Sequence, residues 1–288
     1  NQQTTYTYDY SSGKPVTSTD PNGELRKTVY DGADRVIEKW NPNPIAASGN
    51  TLSNPNNAPF VTDTPFSGSA PLFNTHAIDL ELNASQYLSV PDSEPLSVTG
   101  NITLEAWIKI ESQPNAGSSF AIASKWETVS NLSSYDFRYT SPGSGATQGL
   151  SLGISSDGAS PTWVFQTSGL ANGTWAHVAV VYTASTGQAE FFVNGMSVGI
   201  KTGLPTSVHN NASSFTIGAS DVDGTPTDLF DGLIDEVRVW SIARTQTQIQ
   251  AAYATELTST ALGLAAYWQL DDSLTDSTGL SLAGTLAF

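Results

Sequence analysis

The side chains best suited to chemistry in this sequence are acidic. Ser220-Asp221-Val222-Asp223-Gly224 leads through Asp228 to Asp231-Gly232 and Asp235, so carboxylates and turn residues crowd into one short stretch. Carboxylates this close repel one another unless a cation sits among them, and hard cations take oxygen donors of this kind. The stretch points to calcium, with Asp221, Asp223, Asp228, Asp231 and Asp235 as candidate ligands. Asp79, on an opening strand expected beside the closing one, is a further candidate, and the competing reading is a solvated acidic loop. A second set is aromatic: Trp126, Tyr135, Tyr139 and Trp163 stand near Asn131, Asp136 and Arg138. Aromatic faces stack on sugar rings while amides and charged groups bind the hydroxyls. In Tyr135-Asp136-Phe137-Arg138-Tyr139 the aromatics alternate with a charged pair, so on a strand one set faces inward and the other outward. The aromatics belong to the core, which leaves Asp136 and Arg138 facing a groove. With Trp126, Asn131 and Trp163 they form the candidate ligand-binding set.

Other patterns are weaker. Asp79-Leu80-Glu81 is the nearest approach to the paired carboxylates that glycoside hydrolysis needs, and Asp235-Glu236 are adjacent and point to opposite faces. Gly195-Met196-Ser197-Val198-Gly199 matches G-x-S-x-G, but it follows an Asn-Gly hairpin and continues as a strand, where a nucleophile elbow needs a strand-to-helix turn. His76, His177 and His209 are isolated, and without cysteine neither a disulfide nor a thiolate site can form.

These residues are held by strands. From Asn172 to Gly199, Trp175, His177, Ala179 and Val181 share one face and Ala176, Val178, Val180 and Tyr182 the other, and both faces are largely apolar. Such a strand belongs in the middle of a two-layer structure, with one face against the opposing sheet and the other covered or forming a groove. Alternation and turn residues predict further strands near 78–82, 86–90, 102–110, 119–126, 134–139, 148–154, 162–166, 188–194, 197–200, 214–218 and 233–240. Thr245-x-x-Gln248 is a capping-box signature, and Ile249, Tyr253 and Leu257 then form one apolar stripe, which predicts a helix across an edge or end of the sheets. Leu264 to Leu270 reads as a strand completing a sheet.

The Trp-x-His entry, the Val193-Asn194-Gly195 hairpin, the 102–110 segment ITLEAWIKI and the 230–240 segment FDGLIDEVRVW together resemble the laminin-G-like family of concanavalin A-like jelly rolls. That resemblance implies an all-β, two-sheet antiparallel jelly-roll sandwich with one short helix near the C-terminus. It also implies calcium in loops beside the sandwich. The family's hydrolase pattern Glu-x-Asp-x-x-Glu is missing. Residues 1–40 have another character. There Tyr8-Asp9 recurs as Tyr30-Asp31 with Asp20-Pro21-Asn22-Gly23 between, which resembles the YD repeats of RHS-type proteins. Residues 41–75 read as a linker or surface crossing, and 76–288 as the jelly-roll domain.

Eleven Lys and Arg against 27 Asp and Glu give a formal charge of −16, which makes nucleic acid a poor partner. No apolar run is long enough to span a membrane, so no membrane insertion is expected. The reading is a non-enzymatic recognition module for a glycan or a cell-surface protein, with calcium-stabilised loops. It would belong to a larger parent chain, secreted or at the cell surface and bacterial. A structural spacer of an RHS-type protein is the alternative, and a glycoside hydrolase the third.

Overall fold

The computed structural model describes residues 5–8, 15–19, 25–30, 36–40, 60–62, 76–222, 225–257, 261–280 and 282–288, with side chains from residue 76 onward except 221 and 222. The chain divides into two compact units, Asn1–Ser53 and Asn54–Phe288. The first holds β1 (Thr5–Tyr8), β2 (Pro15–Thr19), β3 (Leu25–Tyr30) and β4 (Val36–Trp40), an antiparallel sheet in sequence order. The tyrosine of each recurring Tyr-Asp pair ends a strand of it, β1 at Tyr8 and β3 at Tyr30.

The second unit begins with β5 (Phe60–Thr62), β6 (His76–Leu80), β7 (Tyr87–Val90), β8 (Ile102–Ile110) and β9 (Ser119–Lys125). It continues through β10 (Tyr135–Thr140), β11 (Gly149–Ile154), β12 (Thr162–Thr167), β13 (Ala176–Thr183), β14 (Gln188–Val193) and β15 (Met196–Thr202). After β16 (Phe215–Ile217) come a small hairpin, β17 (Ser220–Val222) and β18 (Thr225–Thr227), and then β19 (Gly232–Trp240). Helix α1 (Gln246–Ala252), β20 (Leu264–Trp268) and β21 (Thr285–Ala287) close the chain. Two antiparallel sheets result. The back sheet runs β15-β14-β13-β8-β19-β6-β5 with β20 also on β19, and the front sheet runs β12-β11-β10-β9-β16-β7-β21. This is the expected jelly-roll sandwich, and α1 is the one helix longer than a single turn among the described residues.

Alternation builds the core. Leu104, Ala106, Ile108, Val178, Val180 and Tyr182 of the back sheet meet Phe137, Tyr139, Leu150, Leu152 and Ile154 of the front one, all essentially without solvent contact. Burial of this kind stabilises by about 25 cal/mol per Å² of apolar surface. Tyr135, Phe137 and Tyr139 face this core as the alternation requires.

The other face of the back sheet is covered by α1. Its capping box is complete: the Thr245 side chain accepts from the Gln248 amide, and the Gln248 side chain accepts from the Thr245 amide. Ile249 packs on Ala179, Val181 and Phe192. Helix carbonyls near the C-terminus lack intrahelical donors, and side chains of the sheet and of the segment before the helix supply them. Arg244 Nη2 donates to Gln248 O at 2.7 Å, Arg238 Nη1 to Ala252 O at 2.9 Å, and Trp107 Nε1 to Tyr253 O at 2.7 Å. The helix ends before Leu257, so the apolar stripe is shorter than the sequence predicts. Among the described residues no helix is long and apolar enough to cross a membrane.

Candidate functional site

The outward face of the front sheet carries an open groove of about 250 Å³, lined chiefly by Ser119, Arg138, Thr140, Ser151, Trp163 and Phe165. Register explains the set. Trp163 of edge strand β12 pairs with Gly153 of β11, Gly153 with Asp136 of β10, and Asp136 with Ser124 of β9. One row along, Phe165 pairs with Ser151 and Ser151 with Arg138. On β11 the small residues Gly149, Ser151 and Gly153 alternate with the core residues Leu150, Leu152 and Ile154, so the floor of the groove is low. At Gly153 the missing side chain matters: a Cβ there would stand 2.7 Å from the Trp163 ring, so the indole lies across the strand only because this residue is glycine.

Trp163 is 40% exposed, Trp126 beneath it only 2%, and their ring centroids are 5.2 Å apart. The Arg138 guanidinium stacks on the Trp163 ring with its carbon 4.4 Å from the centroid, a cation–π contact that fixes the indole. Arg138 is itself fixed from two sides. Its Nε donates to Asp136 Oδ2 at 2.7 Å, and its Nη1 pairs with Asp228 Oδ2 at 2.7 Å. Ser220 Oγ donates to the same Asp136 oxygen at 2.7 Å, while Asp136 Oδ1 is buried without a hydrogen-bond donor among the described residues. Burial lifts Asp228 above the usual carboxylate range against the pull of Arg138.

Of the five ligand-binding residues read from the sequence, Asp136, Arg138 and Trp163 come together here. Trp126 supports Trp163 and does not present a face to solvent, which corrects the expectation that it meets a ligand. Asn131 is exposed but serves the turn between β9 and β10, with a left-handed φ of 58°, and does not line the groove. Ser119, Thr140, Ser151 and Phe165 line the site and escaped the sequence reading, while Asp228, read there as a cation ligand, joins it through Arg138. Phe165 carries a signal that could have found it, since it stands two residues beyond Trp163 on a predicted strand and therefore shares its face.

Among the described residues the acidic candidates do not assemble into one centre. Asp228 pairs with Arg138, so a guanidinium stands where a cation would. Asp235 lies buried within β19, where burial and the neighbouring Glu236 push its carboxyl well above the usual range. Asp79 and Asp231 share the outer surface of the back sheet with Glu111, and Ser112 Oγ donates to Asp231. Asp221 and Asp223 fall outside the described side chains. Among the described residues no group of three or more His, Asp or Glu side chains is disposed to hold a metal. Asp79, Asp228, Asp231 and Asp235 are thus not gathered round one cation position, and the set read from the sequence would need Asp221 and Asp223 to complete it.

Asp79 has a consequence for stability instead. Burial first, then the Glu111 and Glu81 carboxylates, raise it to about 7, and burial likewise raises Asp271 to about 7. Between pH 3.8 and about 7 the folded state holds protons that the unfolded chain releases, so stability falls as pH rises through that window. Melting curves across it are expected to show a shallower decline for Asp79→Asn than for the natural chain, and parallel slopes would refute this.

Remaining motifs resolve as structure. Ser197 Oγ donates to Glu190 Oε1 at 2.6 Å from within β15, far from any elbow geometry. His177 is buried between Trp107 and Tyr253, with ring centroids at 5.7 and 5.4 Å, and burial holds it below its usual range.

A family model for the concanavalin A-like lectin/glucanases superfamily, Laminin_G_3, matches residues 82–250. Among solved structures, a candidate carbohydrate-binding protein from Bacteroides ovatus is 26% identical, with a TM-score of 0.58 over 74% of this chain. This chain spans 58% of that protein's length. The sialidase module CBM40 of Ruminococcus gnavus, bound to sialyllactose, is 14% identical with a TM-score of 0.47, over 62% of this chain and 96% of its own. Domain 4 of an extracellular arabinanase from Geobacillus stearothermophilus, in complex with arabinotriose, is 18% identical with a TM-score of 0.47, over 88% of this chain and 99% of its own. No curated protein matches.

Proposed function

We propose, for a chain that belongs to the concanavalin A-like lectin/glucanases superfamily, the role of a non-catalytic carbohydrate-binding module whose binding face is the groove of the front sheet. One observation carries the reading: the Trp163 indole, 40% exposed and held by Gly153, Trp126 and Arg138, stands beside a floor of hydroxyl groups. A rigid aromatic platform stacks on a sugar ring without losing side-chain freedom, and Thr140, Ser151 and Ser119 offer both donors and acceptors to sugar hydroxyls. The similarity to the Bacteroides ovatus protein, described as a candidate carbohydrate binder, supports the same reading.

Hydrolysis is disfavoured on geometry. It needs two carboxyl groups that both reach the substrate. In the groove Asp136 has no exposed surface, and among the described side chains Asp228 is the one partly exposed carboxylate beside Arg138. Secretion, a bacterial source and a place within a larger chain with YD-repeat sequence complete the proposal, with a cell-surface glycan as the partner. A calcium ion in the acidic loops is a separate part of it, with its own measurement in the melting temperature with calcium and with chelator.

A glycan array probed with the 76–288 segment and with the full chain tests the reading. Binding that survives chelator, with no product released from the same polysaccharides, is the expected result. Silence on the array would favour a structural spacer, and turnover would favour a hydrolase.

A further inference from the structure

The charge around Arg138 and the spacing of the aromatics say more about the ligand, on the premise that the groove binds carbohydrate. Arg138 is the one charged residue lining the groove among the described residues. Its positive charge is already answered twice, by Asp136 on one side and Asp228 on the other. These three groups together carry a net negative charge, on a chain whose formal charge is −16. A uronic acid, sialic acid or sulfated sugar brings an anion that would find no free cation here and would meet the Asp228 carboxylate, with the buried Asp136 carboxylate behind it. A neutral hydroxyl meets no such cost, and can accept from those guanidinium N–H groups that the two carboxylates leave over, since arginine has five.

Length is set by β12. Trp163 and Phe165 stand on one face of this strand, two residues apart, which at about 3.3 Å per residue places them roughly 6.6 Å from each other. That spacing is comparable with one sugar residue in a chain. Ser151, opposite Phe165, and Thr140, on the strand beyond, continue the hydroxyl floor past the first platform. The groove is open to solvent along the sheet face.

We infer that the groove takes an internal stretch of a linear, uncharged glycan at least two sugar residues long, with Trp163 and Phe165 as successive platforms and the Asp136–Arg138–Asp228 ion pairs excluding anionic sugars.

Titration calorimetry on the full chain tests this, with neutral linear oligosaccharides from monosaccharide to tetrasaccharide and their uronic-acid and sulfated counterparts. A close unit charge in a partly wet site changes affinity by roughly tenfold, so the anionic counterparts are expected to bind at least that much more weakly. Affinity for the neutral series should rise from mono- to disaccharide and change little with salt. Asp228→Asn removes one of the two carboxylates and is expected to narrow the gap between neutral and anionic ligands severalfold. Residue 228 has a left-handed φ of 49°, a conformation that asparagine adopts as readily as aspartate, so the backbone is kept. Phe165→Ala should weaken the di- and longer saccharides by a larger factor than the monosaccharide. Anionic sugars that bind as tightly as neutral ones and lose binding in Trp163→Ala would overturn the inference while leaving the carbohydrate reading intact. An unchanged gap in Asp228→Asn, or a monosaccharide as tight as a tetrasaccharide, would overturn it as well. Silence from both series overturns the carbohydrate reading, and this inference with it.

Discussion

Glu105→Leu is expected to destabilise the protein by about 3–5 kcal/mol, because removing one partner of a buried ionic set leaves an uncompensated charge in the interior. The set lies between the back sheet and α1. Glu105 accepts from Arg244 Nη1, and its other oxygen lies 3.8 Å from Arg238 Nη1 and 3.5 Å from His177 Nε2. Glu236 accepts from Arg238 Nη2 and, at 2.5 Å, from the Tyr267 hydroxyl. Burial keeps His177 uncharged at neutral pH and pushes Asp235 well above the usual carboxylate range. Two guanidiniums therefore face two carboxylates, with the charges in balance. Burial alone would raise Glu105, yet the His177 contact and the two arginines outweigh it and hold Glu105 below its usual range. Without Glu105, the Arg244 guanidinium keeps its stacking on Trp240 at 3.9 Å and its bond to Gln248 O, but its charge is left unmatched. A domain of this size loses about 2–4 °C of melting temperature per kcal/mol, so a fall of roughly 6–20 °C is expected. Urea titration measures the free energy directly, and a loss below about 1 kcal/mol would show that water or a rearranged helix compensates the charge.

Glu105 also shows where sequence reasoning reached and where it stopped. The alternation in 102–110 marks Glu105 as facing away from the core, and the capping box at Thr245 marks the start of the helix, so both partners of this interface were legible singly. Their pairing was not, since nothing local in either stretch names the other. The same holds for Arg138: its face follows from Tyr135, Phe137 and Tyr139, whereas its bond to Asp228 joins distant segments, and Asp228 read more naturally with its acidic neighbours as a cation site. Trp126 misled for a related reason, because its burial depends on Trp163 arriving from another strand. The β17–β18 hairpin went unseen because Ser220 to Thr227 is polar and lacks the apolar alternation that announces a strand.

Trp163→Ala is expected to weaken glycan binding by at least about 2 kcal/mol, roughly thirtyfold, as truncating a central aromatic anchor commonly does. The fold should persist with a modest loss of stability, because the side chain is 40% exposed and only one face of β12 meets the core, while Trp126 loses the ring that covers it. A second variant separates the ring from its placement. Gly153→Ala keeps the indole but sets a methyl group 2.7 Å from where the ring now lies, so the ring must lift away from β11. Both variants should lose affinity to a similar degree while circular dichroism stays near that of the natural chain and melting temperature falls only modestly. If Gly153→Ala bound normally, the platform would not depend on the posture described above. If Trp163→Ala bound normally, the ligand would sit elsewhere on the sandwich.

Strand β12 forms the outer margin of the front sheet and is hydrogen-bonded there to β11 alone. Substitutions along its outward face, or small changes in the loops at its two ends, can alter what is recognised without unpicking the interior, so ligand preference in this lineage is free to drift quickly while the scaffold is inherited unchanged.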